Sequence, residues 1–393
     1  MIKELHSELF LKNNRMAGLY IHIPFCTRKC HYCNFFSQPA LHLIPSYVNA
    51  LCREIEIRKE YLSEPITTLY FGGGTPGLLS AEQIGAILNN AGKHLDVKLN
   101  EVTLEVNPDN LNNDYLRSIK DVGIDRLSIG IQSFNNKDLK WLNRSHSGEI
   151  SVEAISDARI AGFENISIDL IYGIPVQSIG EWERQIDIAI SLHPEHISAY
   201  ALTIEPGTAL HHFIRKGKRP DVSDKHAEEC FRVLKRKLRE HGYEHYEVSN
   251  FCLPGKESRH NSGYWNHTPY LGIGASAHSF DGKSRQWNVS AINHYISEIN
   301  QGIVPSEKEE LSTINMLNEY LMVSIRTSKG CNLNHINEVY GEEFEKNVLM
   351  RAKPFIENNL LVLKDKVIRT SEQGWFHLDG IASSLFEDDA WCF

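Results

Sequence analysis

Pro24-Phe25-Cys26-Thr27-Arg28-Lys29-Cys30-His31-Tyr32-Cys33 is the stretch on which the reading of this 393-residue chain turns. It follows the apolar run Leu19-Tyr20-Ile21-His22-Ile23, whose composition is that of a strand. Its thiols are spaced C-x3-C-x2-C. Four thiolates would close a metal site, whereas three leave a position open for an outside ligand. Residues at i, i+4 and i+7 also share one helix face, so three buried structural cysteines are the simpler alternative. Pro24 and the Thr27-Arg28-Lys29 interruption speak against a helix here. Zinc would need His22 or His31 as a fourth ligand; His31 adjoins Cys30, and His22 lies inside the strand pattern. An iron–sulfur cluster with one open iron fits the spacing best.

Outward from this segment, short β-rich runs alternate with amphipathic ones. The strand candidates are 19–25, 67–72, 102–106, 126–132, 166–172 and 196–203. Helices are expected over 46–61, 81–94, 111–122, 151–161 and 181–191, with Ser80/Gln83 and Ser178/Glu181 as N-terminal caps and Gly123 and Gly162 as stops. Six strand–helix units predict an α/β fold, an incomplete (β/α)6 barrel with parallel strands and right-handed crossovers. Chemistry then belongs at the C-terminal strand ends. Residues 1–15 read as an N-terminal extension with Met16 as an alternative start, 16–242 as the barrel, and 243–304 as a less regular barrel-associated segment. Residues 305–310 read as a polar linker opening a small C-terminal α+β domain, 305–393, winged-helix-like and with a hairpin over 359–370.

Composition sets limits. At 41% hydrophobic and 23% charged residues this is an ordinary globular chain, long enough for a large core. A net charge of −9 argues against a general nucleic-acid binder, and residues 305–393 hold 9 Lys and Arg against 15 Asp and Glu. No apolar run is long enough for a stable membrane anchor, and Lys3, Glu4, Glu8, Lys12 and Arg15 exclude a secretory signal. The other cysteines are scattered without a disulfide framework, which points to a reducing, cytoplasmic setting.

The strand ends carry further candidates. In Gly72-Gly73-Gly74-Thr75-Pro76 the glycines would let a ligand approach the backbone; a sharp turn alone would need one. Glu105, Gln132, Arg144 and Asp169 could clamp a nucleoside and a carboxylate, though each alone is more often an ion-pair partner. His260, in His260-Asn261-Ser262-Gly263-Tyr264-Trp265, suits axial ligation of haem iron, with a core or capping histidine as the plainer alternative.

Taken together these segments resemble the radical S-adenosylmethionine superfamily and, within it, the oxygen-independent coproporphyrinogen III oxidase family. The resemblance rests on Tyr20 through Cys33, the Gly-Gly-Gly-Thr-Pro run, Gly130-Ile131-Gln132-Ser133, Asp169 through Pro175 and the C-terminal module. It implies a [4Fe–4S] cluster on Cys26, Cys30 and Cys33. It also implies S-adenosylmethionine contacts at Tyr20, Tyr32, Gly73, Gly74, Thr75, Glu105, Gln132, Arg144, Asp169 and Thr203. Reductive cleavage of the sulfonium, fed by a flavodoxin- or ferredoxin-type electron donor, would follow. The oxidases continue the cysteine motif with Cys-x-Cys, whereas Cys33 here precedes Asn34-Phe35-Phe36. The His260–Trp265 run is similar to the haem-binding signature of HemW-type haem chaperones. The expectation is therefore a chaperone that carries haem as cargo to acceptor proteins. The alternative is an enzyme that decarboxylates coproporphyrinogen III propionates to vinyls.

Overall fold

Strands β1 (Ala17–Ile23), β2 (Ile66–Gly73), β3 (Val97–Val106), β4 (Arg126–Gln132), β5 (Ile166–Tyr172) and β6 (His196–Ala201) lie side by side in chain order, all parallel. This is seen in a computed structural model that describes residues 16–387; the expected extension 1–15 and Cys392 lie outside the described residues. Helices cross between the strands, and the capping expectations hold. Ser80 with Gln83 and Ser178 with Glu181 form reciprocal capping boxes on helices Ala81–His94 and Ile179–Ser191. Gly123 (φ 110°) and Gly162 (φ 86°) reverse the chain where helices stop. Pro45 stands in the first turn of helix Ile44–Ile57, which starts and ends earlier than periodicity suggests.

Three expectations need correction. The segment after residue 242 is not irregular: it supplies strands to both edges of the same sheet. At one edge β8 (Asn250–Cys252) pairs antiparallel with β6 and then with β7 (Glu244–Glu247). At the other, β9 (Tyr270–Ile273) runs parallel to β1, followed by β10 (His278–Phe280), β11 (Ser284–Asn288) and β12 (Ser306–Glu310). The polar run expected as a linker is thus β12, whose exposed charged side chains suit an edge strand. The result is an open barrel rather than a closed one, because the terminal strands β7 and β12 do not pair. The expected last strand also stops at Ala201, leaving Thr203 beyond it.

Side-chain alternation divides the barrel wall. Outward residues such as Leu19, Ile21, Phe71, Leu104, Leu127 and Ile129 are fully buried beneath the helices. Inward positions are polar or aromatic instead: Tyr20, Tyr70, Glu105, Arg126, Asp169 and His196. The expected hairpin near the C-terminus is β14 (Leu361–Lys364) with β15 (Val367–Thr370), turning through Asp365 and Lys366, both at positive φ. With β13 (Cys331–Asn332) it forms a three-stranded sheet. This small unit meets the barrel where Ser328 N–H donates to Tyr246 O (2.9 Å) and Lys235 pairs with Glu372 (2.8 Å).

Candidate functional site

The cysteine loop leaves β1 and is fastened by distant parts of the chain. Cys26 N–H donates to Gln38 O, His31 N–H to Leu142 O and Leu210 N–H to His31 O, at 2.8–3.2 Å. Helix Asn136–Leu142 ends on Asn143 in the left-handed conformation, and the Asn143 side chain donates to Lys29 O (2.9 Å). A satellite core of Leu142, Ile171, Ile174, Leu202 and Leu210, with Tyr32 packed against it, seats the loop.

The same turn at Asn143 sends Arg144 back under the loop. Arg144 Nη1 donates to Cys30 Sγ (3.4 Å), and Nη2 to Asn107 Oδ1 (2.8 Å) and Gly130 O (2.6 Å). Asn107 Nδ2 in turn donates to Thr75 Oγ1 (3.3 Å), which donates to Cys26 Sγ (3.4 Å). A chain of donors therefore runs from one cysteine to the other through the ends of β2 and β3. The three cysteines are free and half-buried, and burial pushes the Cys33 thiol above its ordinary range. Among the described residues no three His, Cys, Asp or Glu side chains close on the position of a single ion. A four-iron cube asks for a different arrangement, one thiolate at each of three separate corners. Half-buried free thiols, two of them already accepting hydrogen bonds from a guanidinium and a hydroxyl, fit that demand. Charge-assisted donors of this kind stabilise thiolates.

Beside the loop, packing within the chain also asks for the glycine run. Only Gly73 has positive φ (113°). A Cβ on Gly72 would stand 2.9 Å from the rings of Tyr20 and Tyr70, one on Gly73 2.6 Å from His22, and one on Gly74 2.6 Å from Phe25 O. All three positions are thus demanded by packing within the chain. Glu105 accepts from Tyr70 OH (2.8 Å) and Gly73 N–H (3.1 Å); burial raises its carboxyl to about 7. Asp169 accepts from Ser128 Oγ (3.3 Å) and is raised to about 6, again mainly by burial. Gln132 closes β4 with φ 70°, a left-handed non-glycine beside a register shift, the sort of strained position that clusters at functional sites. These groups gather at one mouth of the barrel. Thr203 lies two residues past the end of β6, exposed.

His260 lies at the other end. Helix Arg259–Trp265 is hung on β3 by Glu101, whose carboxylate accepts from Arg259 N–H and His260 N–H (both 2.9 Å). The imidazole is 3% exposed and fully engaged: Nδ1 bonds Thr68 Oγ1 and Nε2 bonds Tyr264 OH, each at 2.9 Å. Its ring stacks on Tyr70 (5.1 Å) and Tyr20 (6.4 Å), and burial lowers its pKa to about 3. Beneath it opens a cavity of about 550 Å³ lined by Gly18, Tyr264, Trp265 and Tyr270, with Arg259 and Lys329 among its cations. Thr327, Ser328 and Lys329 bring the C-terminal part of the chain to its wall. Cys252, in β8, is buried and not part of that lining.

Asn107, Thr68, Tyr70 and Glu101 were not among the expected site residues. The signal for Thr68, Tyr70 and Glu101 was present as polar and aromatic positions alternating with apolar ones inside strands, at the same parity as Tyr20 and Glu105, and Asn107 continues that parity just past the end of β3.

An open parallel barrel with a three-cysteine loop at its strand ends is the architecture of radical S-adenosylmethionine proteins, and residues 20–188 match the Radical SAM superfamily model. Residues 311–377 match the HemN C-terminal domain. The solved structure of HemN, the coproporphyrinogen III oxidase of Escherichia coli, has the same fold: TM-score 0.81 at 23% identity, covering 95% of this chain and 90% of that one. The heme chaperone HemW of Bacillus subtilis is 34% identical over 91% of this chain and 96% of its own length. The heme chaperone HemW of Lactococcus lactis is 32% identical over 94% and 97%, respectively. A bovine mitochondrial protein, radical S-adenosyl methionine domain-containing protein 1, is 31% identical over 96% of this chain and 89% of its own. The chain belongs to the HemW branch of the radical SAM superfamily.

Proposed function

We propose that this protein is a haem chaperone: it holds haem in the cavity beneath the barrel and passes it to an acceptor protein. The observation that carries the reading is the placement of the His260–Trp265 run. It lines a cavity of about 550 Å³, within the range of ligand sites, at the barrel end away from the cysteines. An imidazole held neutral by burial does not lose its lone pair to a proton. With Thr68 Oγ1 accepting from a protonated Nδ1, Nε2 is the atom left for iron once the Tyr264 hydroxyl swings aside. Tyr264, Trp265 and Tyr270 offer aromatic faces to the macrocycle, and Arg259 and Lys329 offer charge to its propionates.

At the opposite mouth, Cys26, Cys30 and Cys33 would hold a [4Fe–4S] cluster, with Thr75 and Arg144 bonded to the first two thiols. S-adenosylmethionine would dock beside it, its amino group at Glu105 and its ribose at Asp169, in the pairings carboxylates make. When bound, the pair supplies one-electron chemistry at the sulfonium. Tyr20, Tyr32, Gly73, Gly74, Gln132 and Thr203 complete the proposed contact set, Thr203 on the exposed rim. Electrons would come from a flavodoxin- or ferredoxin-type donor. No helix of the described residues is long and apolar enough to cross a membrane.

The test is haem titration of the full chain under anaerobic conditions, followed by absorbance. Saturable binding is expected, weakened at least about tenfold in His260→Ala, or about 1.4 kcal/mol, and restored by free imidazole. Equal affinity in the two proteins rejects His260 as ligand. Absence of saturable binding rejects the chaperone, and conversion of coproporphyrinogen III to protoporphyrinogen would make the chain an oxidase.

A further inference from the structure

The two ends of this barrel are joined by a column of side chains. The rings of His260, Tyr70 and Tyr20 are mutually stacked, with centroids 5.1 Å apart for His260–Tyr70, 6.2 Å for Tyr20–Tyr70 and 6.4 Å for Tyr20–His260. The Tyr70 hydroxyl donates to Glu105 Oε1, and Glu105 Oε2 accepts from Gly73 N–H. Tyr20 OH bonds His22 Nδ1 (3.1 Å).

The column has no slack at either end. Above, Gly72 closes on Tyr20 and Tyr70 so tightly that a Cβ would stand 2.9 Å from each ring, and Gly73 closes on His22. Below, a Cβ on Gly18 would stand 3.1 Å from the His260 ring. A barrel interior is usually filled by layers of branched apolar side chains, which slide past one another without hydrogen-bond register. Here the fill is directional, and its outermost members touch both sites. Glu105 and the Gly73 backbone face the cofactor mouth, and His260 faces the cavity.

We infer that the sulfonium-nucleotide site and the haem site are thermodynamically coupled through Tyr70, so that occupancy of the first tightens the second. The inference rests on the haem-chaperone reading and adds its regulation. For iron to take Nε2, Tyr264 must release the imidazole, which then keeps its place only through Thr68 and the rings behind it. A ligand that engages Glu105 and Gly73 fixes the partner of the Tyr70 hydroxyl and so orders the wall at the back of His260. The second ligand then loses less conformational freedom on binding, which is positive cooperativity without a change of fold. Linkage makes the effect reciprocal: haem must tighten the nucleotide by the same factor.

The experiment uses the full chain carrying its reconstituted cluster, titrated with haem in the presence and absence of saturating S-adenosylmethionine, and with S-adenosylmethionine in the presence and absence of haem. A tightening of about fivefold or more is expected in both directions, a typical coupling magnitude. Tyr70→Phe keeps the ring and removes the hydroxyl. In it the coupling should fall below about twofold, whatever happens to either affinity alone. Coupling below twofold in the wild type, weakening instead of tightening, or full coupling in Tyr70→Phe each overturns the inference. The sign and size of the wild-type coupling test it even if the variant does not fold. Saturable haem binding without coupling sinks this inference alone, whereas no saturable haem binding sinks the chaperone reading as well.

Discussion

The cysteine mouth and the His260 floor are built by opposite means. At the mouth, the working groups sit on a loop and on strand ends, half-buried, and are held by segments from far along the chain such as Asn143, Arg144 and Leu210. At the floor they sit on the first residues of strands and on one short helix, and the histidine is sealed with both nitrogens occupied. A loop held by single hydrogen bonds can adjust around an incoming inorganic group. A sealed imidazole must first give up a partner, which costs about 1 kcal/mol for a neutral hydrogen bond. Access at the mouth is therefore a matter of shape, and access at the floor a matter of exchange.

Cys30→Ser should have the largest effect and cuts the comparison in two. Iron and sulfide after anaerobic reconstitution should fall at least about tenfold, while saturable haem binding survives. Loss of both would mean that the loop also supports the floor. Next comes Gly73→Ala, where positive φ and the His22 ring combine. Thermal unfolding should show a loss of about 3 kcal/mol, against about 1–2 kcal/mol for Gly18→Ala, whose new methyl meets the edge of His260 and the Thr68 hydroxyl at 3.1–3.4 Å. Equal losses would deny the mouth its tighter packing.

Glu105 gives a pH test of the column. Its carboxyl titrates near 7 in the fold, mainly through burial, and near 4.5 when unfolded. Between those values the folded state holds the extra proton, so this group's contribution to stability falls as pH rises through that window. Relative to wild type, Glu105→Gln should therefore gain stability from pH 5 to pH 8, by on the order of 2 kcal/mol in chemical denaturation. A flat difference would mean that Glu105 is solvated. His260 works in the other direction: its lowered pKa favours the fold above the unfolded value and loses stability as pH drops from about 6.5 toward 3. The smallest effect belongs to Thr203→Ala, expected within about 0.5 kcal/mol in stability because the side chain is exposed. A nucleotide affinity unchanged from the wild type would remove Thr203 from the proposed contact set.

The parallel barrel was legible because its strands are apolar on the outward side and bounded by glycines and caps that do what such residues usually do. Ser80, Ser178, Gly123 and Gly162 sit at the boundaries their chemistry suggests. The edge strands were not legible. β12 is Ser-Glu-Lys-Glu-Glu, and its pairing with β11 comes from the backbone while its side chains face water, so no hydrophobic pattern marks it. The site divides the same way. Cys26, Cys30 and Cys33 announce themselves by spacing, but Asn107 matters only because Thr75 and Arg144 reach it from other strand ends. For the glycine run the residues were noticed but a second reason was not legible, since what each glycine makes room for is a ring or carbonyl many residues away.

The wall of the cavity includes Lys329, whereas the tethers of the cysteine loop described above end at Leu210. On a ribosome that order becomes a schedule. A nascent chain can settle its N-terminal mouth while more than a hundred residues remain to be made, and only afterwards acquires the last side of the cavity. Under the proposed function, cluster insertion would be open to the chain before haem loading is.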